Sequence, residues 1–152
     1  MTIELRSGGE VETRAIGRRL ASFLSPGDVI LLAGELGAGK TAFAGGLAEG
    51  LGIEEPVISP SFMLVRRYAG GFISLTHADV YRLGSLNELE DLDLFEEARE
   101  GVLIIEWGNV VVSAMPDDHL RVEIEVTGPG ERVLRLSSQG AWETRSLKEM
   151  VE

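Results

Sequence analysis

The sequence contains no cysteine. That removes a disulfide framework, a thiolate metal site and a cysteine nucleophile together, and makes an intracellular setting the simplest expectation. No apolar run approaches the ~20 residues of a membrane-spanning helix. The opening stretch MTIELRSGGEVETR also lacks the basic-then-apolar order of an export signal. A cytoplasmic protein with no membrane attachment is expected. Basic charge is in short supply: 14 Lys and Arg stand against 25 Asp and Glu, a formal net charge of -11. Such a balance repels nucleic-acid backbones at long range, so direct, unaided binding to DNA or RNA is disfavoured. Only Lys40 and Lys148 are lysines, and every other basic residue is arginine. An internal lysine is therefore informative.

What remains is ordinary for a globular chain: 152 residues, 44% hydrophobic and 26% charged. A chain of this size buries roughly 70% of the surface its unfolded form exposes, enough for a real core. With no repeat, low-complexity tract or long linker, residues 1–152 are expected to form one domain. Ile16, Leu20, Phe23 and Leu24 stand at helical spacing, which predicts an amphipathic helix over residues 12–23 ended by SPGD. VILLA at 29–33 is a continuous apolar run, the pattern of a strand buried on both faces. A glycine-rich turn and a helix from Lys40 to Leu51 follow. FMLVRRY and FISLTHA read as strands joined at Gly70 and Gly71, a hairpin. Leu86, Leu89, Leu92 and Phe95 predict a helix in SLNELEDLDLFEEARE, and VLIIEW at 102–107 a second buried strand. HLRVEIEVTGPGERVLRLSS alternates around a Gly-Pro-Gly turn, an antiparallel hairpin. The class is α/β: a mixed central sheet flanked by helices, with antiparallel hairpins.

Gly34-Glu35-Leu36-Gly37-Ala38-Gly39-Lys40-Thr41 fits G-x-x-x-x-G-K-[ST], between a predicted strand and a predicted helix. The glycines let backbone N–H groups curl around phosphate oxygens, and the helix start adds unpaired N–H groups and a positive dipole end. Lys40 would reach the β- and γ-phosphates, and Thr41 would offer its hydroxyl to Mg²⁺. A triphosphate site also needs carboxylates for the metal ion and for an oriented water. Glu106 ends VLII, at the sheet edge where such folds bind ligands, and Asp79 follows a strand in THADVYR. One of the pair would serve Mg²⁺ and the other the attacking water, with Glu106 favoured on the metal side. His77 reads as a hydrogen-bonded strand-end histidine before a proton carrier, and Arg82 as either a phosphate contact or a structural ion pair. SPSF at 59–62 is either a loop sensing the γ-phosphate or a turn opening the next strand. Core packing is the ordinary expectation for Trp107 and Trp142, and solvated strand positions for Arg66 and Arg67.

Four segments in order, GELGAGKT, SPSF, HADVYRL and IEW, resemble the TsaE family, also known as YjeE, the bacterial ATPase of tRNA threonylcarbamoyladenosine biosynthesis. The likeness runs over nearly the whole chain. It implies a small P-loop NTPase-like fold and hydrolysis of ATP with Mg²⁺. It also implies two partners, a threonylcarbamoyl-transferase subunit and its paralogous partner subunit. The product would be the modified adenosine beside the tRNA anticodon. Mapped by motif, nucleotide contacts fall on Gly34 and on Gly37, Ala38, Gly39, Lys40 and Thr41, with Ser61 in the sensing loop and Mg²⁺ at Thr41 and Glu106. The same mapping places Glu10, Thr13, Trp107 and Asn109 around the adenine. The family often has Asp at Glu35, Thr at Ser61 and bulky residues at Ala78 and Val80; none of these departures removes a phosphate or metal group. Acidic charge agrees with a protein that leaves RNA contact to its partners.

The main alternative is a small P-loop metabolite kinase, which needs an acceptor pocket and a mobile basic lid. After Val102 the basic residues are Arg121, Arg132, Arg135, Arg145 and Lys148, mostly in strand-like segments, and no lid is apparent. A guanine-specific switch needs an Asn-Lys-x-Asp motif, which Lys148 in SLKEM does not supply. A nucleotide sensor without hydrolysis stays open if Glu106 and Asp79 lie far from the γ-phosphate.

Overall fold

The computed structural model describes residues 1–35, 37–60, 65–79, 86–107 and 109–151, with Leu86, Glu97, Asn109 and Val110 described by backbone only. In chain order the elements are β1 (Thr2–Ser7), α1 (Glu10–Leu20), β2 (Val29–Gly34), α2 (Lys40–Gly50), β3 (Val65–Tyr68) and β4 (Leu75–Ala78). There follow α3 (Leu86–Asp91), α4 (Leu94–Glu97), β5 (Val102–Glu106), α5 (Asn109–Ala114), β6 (His119–Gly128) and β7 (Glu131–Gln139). Short 3₁₀ turns close the chain at Gly140–Thr144 and Leu147–Val151.

The strands form a seven-stranded sheet in the order β1-β7-β6-β2-β5-β4-β3. β6, β2, β5 and β4 are mutually parallel, while β1, β7 and β3 run antiparallel to their neighbours. The continuous apolar runs have their explanation here. Ile30, Leu32 and Ile104 enter a core shared with α1 and α2, whereas Val29, Leu31, Leu103 and Ile105 enter a second core with Leu89, Leu94 and Val111. Both faces of β2 and β5 are covered, so period-two alternation disappears. Because β2, β4 and β5 are parallel, the phosphate loop after β2, Asp79 after β4 and Glu106 at the end of β5 leave the sheet at one edge. Among the described residues no helix is long and apolar enough to cross a membrane.

Among the described residues the predicted elements hold with four corrections; residues 62–64 of the strand FMLVRRY and Ser85 of the Leu-rich helix lie outside them. The first helix starts earlier and ends as a 3₁₀ turn at Ala21–Phe23. The second strand of the first hairpin begins only at Leu75, leaving Phe72 exposed in the turn. The Leu-rich helix is two short helices, broken at Asp93 with φ 52°. β1 and α5 have no counterpart in the periodicity: β1 alternates exposed and buried residues at the sheet edge, and α5 follows directly on the charged end of β5.

α1 and α2 cross closely because α2 carries glycine where α1 approaches. A Cβ on Gly46 would overlap the Arg14 carbonyl oxygen, which is backbone and has nowhere to go. Gly46→Ala should therefore destabilise the protein by about 2–3 kcal/mol through overpacking. Thermal unfolding measures this, and a midpoint equal to wild type would show that the helices separate freely.

His119, buried at the start of β6, has a fixed tautomer. Arg121 Nε donates to its Nε2 at 3.1 Å, so Nδ1 carries the proton and donates to the Pro116 carbonyl at 2.8 Å. Burial holds its pKa below the usual histidine value; the Pro116 bond opposes this, and the Arg121 charge reinforces it. The folded state thus favours neutral His119. Its contribution is fully present above about pH 6.5 and is lost as pH falls toward the lowered folded value. Between pH 7.5 and 5.5 the unfolding midpoint of His119→Asn should fall less steeply than that of wild type; parallel curves would refute the assignment.

Candidate functional site

The phosphate loop is shaped by left-handed glycines. Gly37 sits at φ 82° and Gly39 at φ 109°, a region that side-chain-bearing residues avoid. Gly39 caps α2, so the first N–H groups of that helix have no partner within it. The Ala38 N–H closes the turn onto the Glu35 carbonyl at 3.0 Å. Lys40 and Thr41 thereby open α2 with their side chains beside the loop.

Behind the loop, Lys40 and His77 both meet Glu106. Lys40 Nζ is 3.0 Å from Glu106 Oε1, and His77 Nε2 is 3.1 Å from Glu106 Oε2. Since a carboxylate only accepts, the His77 proton in this contact is on Nε2; its buried Nδ1 has no partner among the described residues. Glu106 is 7% exposed and His77 fully buried. Burial pushes the Glu106 carboxyl up, but the His77 and Lys40 hydrogen bonds and charges outweigh it, leaving its pKa below the usual carboxylate value. Glu106 is an ionised, buried carboxylate held by two donors, unlike an ordinary exposed strand-end acid.

Lys40 and Glu106 line one cleft of ≈ 400 Å³, with the buried His77 behind it. Gly37, Ala38, Gly39, Lys40 and Thr41 line it together with Asp79, Glu106, Ser59, Glu10 and Thr13. Thr13 comes from α1, where its hydroxyl bonds Ser7 Oγ at 2.7 Å and its methyl group lies 3.5 Å from where a Gly39 Cβ would stand. The α1–α2 crossing thus brings Glu10 and Thr13 to the same cleft as a loop some 25 residues downstream.

Other expected residues fall elsewhere. Gly34 ends β2 against Ile124 of β6 and does not line this cleft. Trp107 is 41% exposed, contrary to the core expectation, and does not line it; its backbone N–H bonds the Leu32 carbonyl at 2.8 Å. Trp142 is buried, with the Arg145 guanidinium 3.8 Å over its ring while that arginine forks onto Asp28 at 2.6 and 2.8 Å. Ser61, Val80 and Arg82 lie outside the described residues, as does the side chain of Asn109, whose backbone opens α5.

The cleft also contains residues that no sequence motif selects: Gly9, Arg14, Gly130 and Arg132. Gly130 and Arg132 come from the β6–β7 hairpin, about 90 residues beyond the loop. No local spacing relates them to it, because only the sheet order places β6 beside β2.

Residues 8–134 match the family model described as "Threonylcarbamoyl adenosine biosynthesis protein TsaE". A Bacillus subtilis protein named "tRNA threonylcarbamoyladenosine biosynthesis protein TsaE" is 40% identical over 139 residues, covering 91% of this chain and 87% of its own. A Streptomyces coelicolor protein of the same name is 43% identical over 136 residues, covering 78% and 92%. The crystal structure of Bacillus subtilis YdiB superposes with a TM-score of 0.82 at 33% identity, over 99% of this chain and 95% of that one.

Proposed function

Because the chain belongs to the TsaE family of threonylcarbamoyl adenosine biosynthesis proteins, we propose that it binds and hydrolyses Mg-ATP as an accessory subunit of the complex that forms threonylcarbamoyladenosine beside the tRNA anticodon. The supporting observation is the convergence of Lys40, Thr41, Asp79 and Glu106 on one cleft at the C-terminal edge of the parallel strands. A triphosphate tail fits this donor set: glycine-shaped backbone and a helix N-terminus for the phosphates, one lysine, and oxygen groups for a hard cation. Thr41 and Glu106 would hold Mg²⁺, which, when bound, neutralises charge on the phosphates. Asp79 is then the carboxylate left to orient water. Its partners would be the threonylcarbamoyl-transferase subunit and that subunit's paralogue, in the cytoplasm, with RNA contact left to them by an acidic chain.

Reconstituting tRNA modification with the partner subunits, with and without this chain, tests the proposal while released phosphate is measured. ATP-dependent modification that requires the chain, with phosphate passed to water, is the expected result. Phosphate passed to a small alcohol would favour the kinase reading instead. Thr41→Ala should lower ATP affinity about tenfold in Mg²⁺ and make it less dependent on Mg²⁺, by loss of one ligand oxygen. Titrations with and without EDTA measure this, and an unchanged Mg²⁺ dependence removes Thr41 from the metal site.

A further inference from the structure

The β6–β7 hairpin reaches back to the phosphate loop through one side chain. Arg132 Nε donates to the Ala38 carbonyl at 2.9 Å and Nη2 to the Gly37 carbonyl at 3.3 Å, while Nη1 donates to the Glu131 carbonyl at 2.9 Å. Each of the three guanidinium nitrogens donates to a backbone oxygen. No carboxylate pairs with this arginine among the described residues.

We infer that Arg132 is a positioning residue of the phosphate loop, holding two successive loop carbonyls outward so that the loop keeps its anion-binding conformation before any nucleotide arrives. The inference rests on the nucleotide-binding reading above. In a trans peptide the C=O and the next N–H point in opposite directions. Anchoring the Ala38 carbonyl therefore turns the Gly39 N–H the other way, and anchoring the Gly37 carbonyl fixes the peptide whose N–H already bonds Glu35. Left-handed glycines permit this conformation but do not enforce it, since glycine visits both signs of φ readily. The enforcement comes from outside the loop. The same contact places positive charge on carbonyl oxygens that would repel an anion. A planar fork can bridge two adjacent carbonyls, whereas an ammonium group presents a single point of charge. With its nitrogens turned to the backbone, Arg132 acts on the phosphates through the loop and is not a catalytic residue.

The test compares wild type, Arg132→Gln and Arg132→Lys. Mg-ATP binding is followed by calorimetry, amide exchange over residues 37–41 by NMR, steady-state KM and kcat by phosphate release, and unfolding of the free protein by heat. Both variants should bind about tenfold more weakly, with faster exchange over residues 37–41. KM should rise more than kcat falls, and the unfolding midpoint should change by no more than a few degrees. Wild-type affinity in Arg132→Lys would overturn the inference in favour of charge alone. So would unchanged exchange in the loop, or a loss of affinity accompanied by a large fall in the unfolding midpoint. If wild type itself does not bind Mg-ATP, the nucleotide reading fails; if wild type binds and both variants match it, only the role of Arg132 fails.

Discussion

Glu106→Gln should reduce ATP turnover about 10³-fold while lowering Mg-ATP affinity by less than about tenfold, because the weaker hold on Mg²⁺ is offset by release of Lys40 to the phosphates. The reason lies in the ion pair. Glu106 is buried and ionised, and it holds Lys40 at 3.0 Å. On the proposed reading an arriving triphosphate would compete with that carboxylate for the same ammonium group. Glutamine keeps the volume and still accepts the His77 hydrogen bond, but it does not compete as an anion. Ground-state binding would therefore be largely spared, while the charge proposed to act during reaction would be gone. Alanine is the poorer test, because it leaves the buried His77 Nε2 with no acceptor, at a cost of roughly 1–3 kcal/mol. Calorimetric affinity alongside single-turnover phosphate release separates the two effects. Turnover near wild type, or affinity falling in step with turnover, would refute the division of roles.

Lys40→Ala should weaken Mg-ATP binding at least ~10²-fold and abolish tRNA modification in the reconstituted complex. Two losses combine. The phosphates lose their cation, and Glu106 loses its partner while staying inside the cleft, where two unit charges about 4 Å apart interact by about 4 kcal/mol at an effective dielectric of ~20. What had been a neutralised pair becomes a bare carboxylate facing an anion. The double variant Lys40→Ala with Glu106→Gln should accordingly recover part of the affinity, a departure from additivity expected of groups in direct contact. Strict additivity in the double-mutant cycle would mean that the carboxylate does not oppose the nucleotide. Modification that persists undiminished with Lys40→Ala would sink the ATPase proposal itself.

The acid response of the site has a definite sign. The folded pKa of Glu106 is depressed, so the contribution of its pairing to stability is complete above the ordinary glutamate range and is lost as pH falls through the lowered folded value. His119 acts in a separate and higher window, below about pH 6.5, because its depressed pKa penalises the charged form.

The phosphate loop is legible from eight consecutive residues because its chemistry is local. Left-handed glycines, a helix start, a lysine and a hydroxyl must follow one another for the backbone to close around an anion. β2 and β5 are equally legible, since burial on both faces writes an unbroken apolar run. Glu106 can be selected from its position at the end of such a run. What the run does not contain is the pair of donors that keep Glu106 ionised, one from α2 and one from β4. β1 escapes notice because an edge strand of alternating residues resembles any polar N-terminus until β7 pairs with it. Trp107 goes the other way: its type suggests a core, yet it stands just past the sheet edge and half in solvent.

The chain alone therefore determined the class of fold, the candidate phosphate loop, the acidic character and the candidate carboxylates, since each is written in neighbouring residues or in composition. Tertiary structure decided which of them meet. The parallel order of β2, β5 and β4 gathers Lys40, Glu106, His77 and Asp79 at one edge, the α1–α2 crossing brings in Thr13, and β6 beside β2 delivers Arg132 to the loop carbonyls. Spacing along a chain constrains neighbours within a turn or a strand. Contacts across 29 to 95 residues depend on strand order and helix packing, which many different sequences satisfy without a shared local signature.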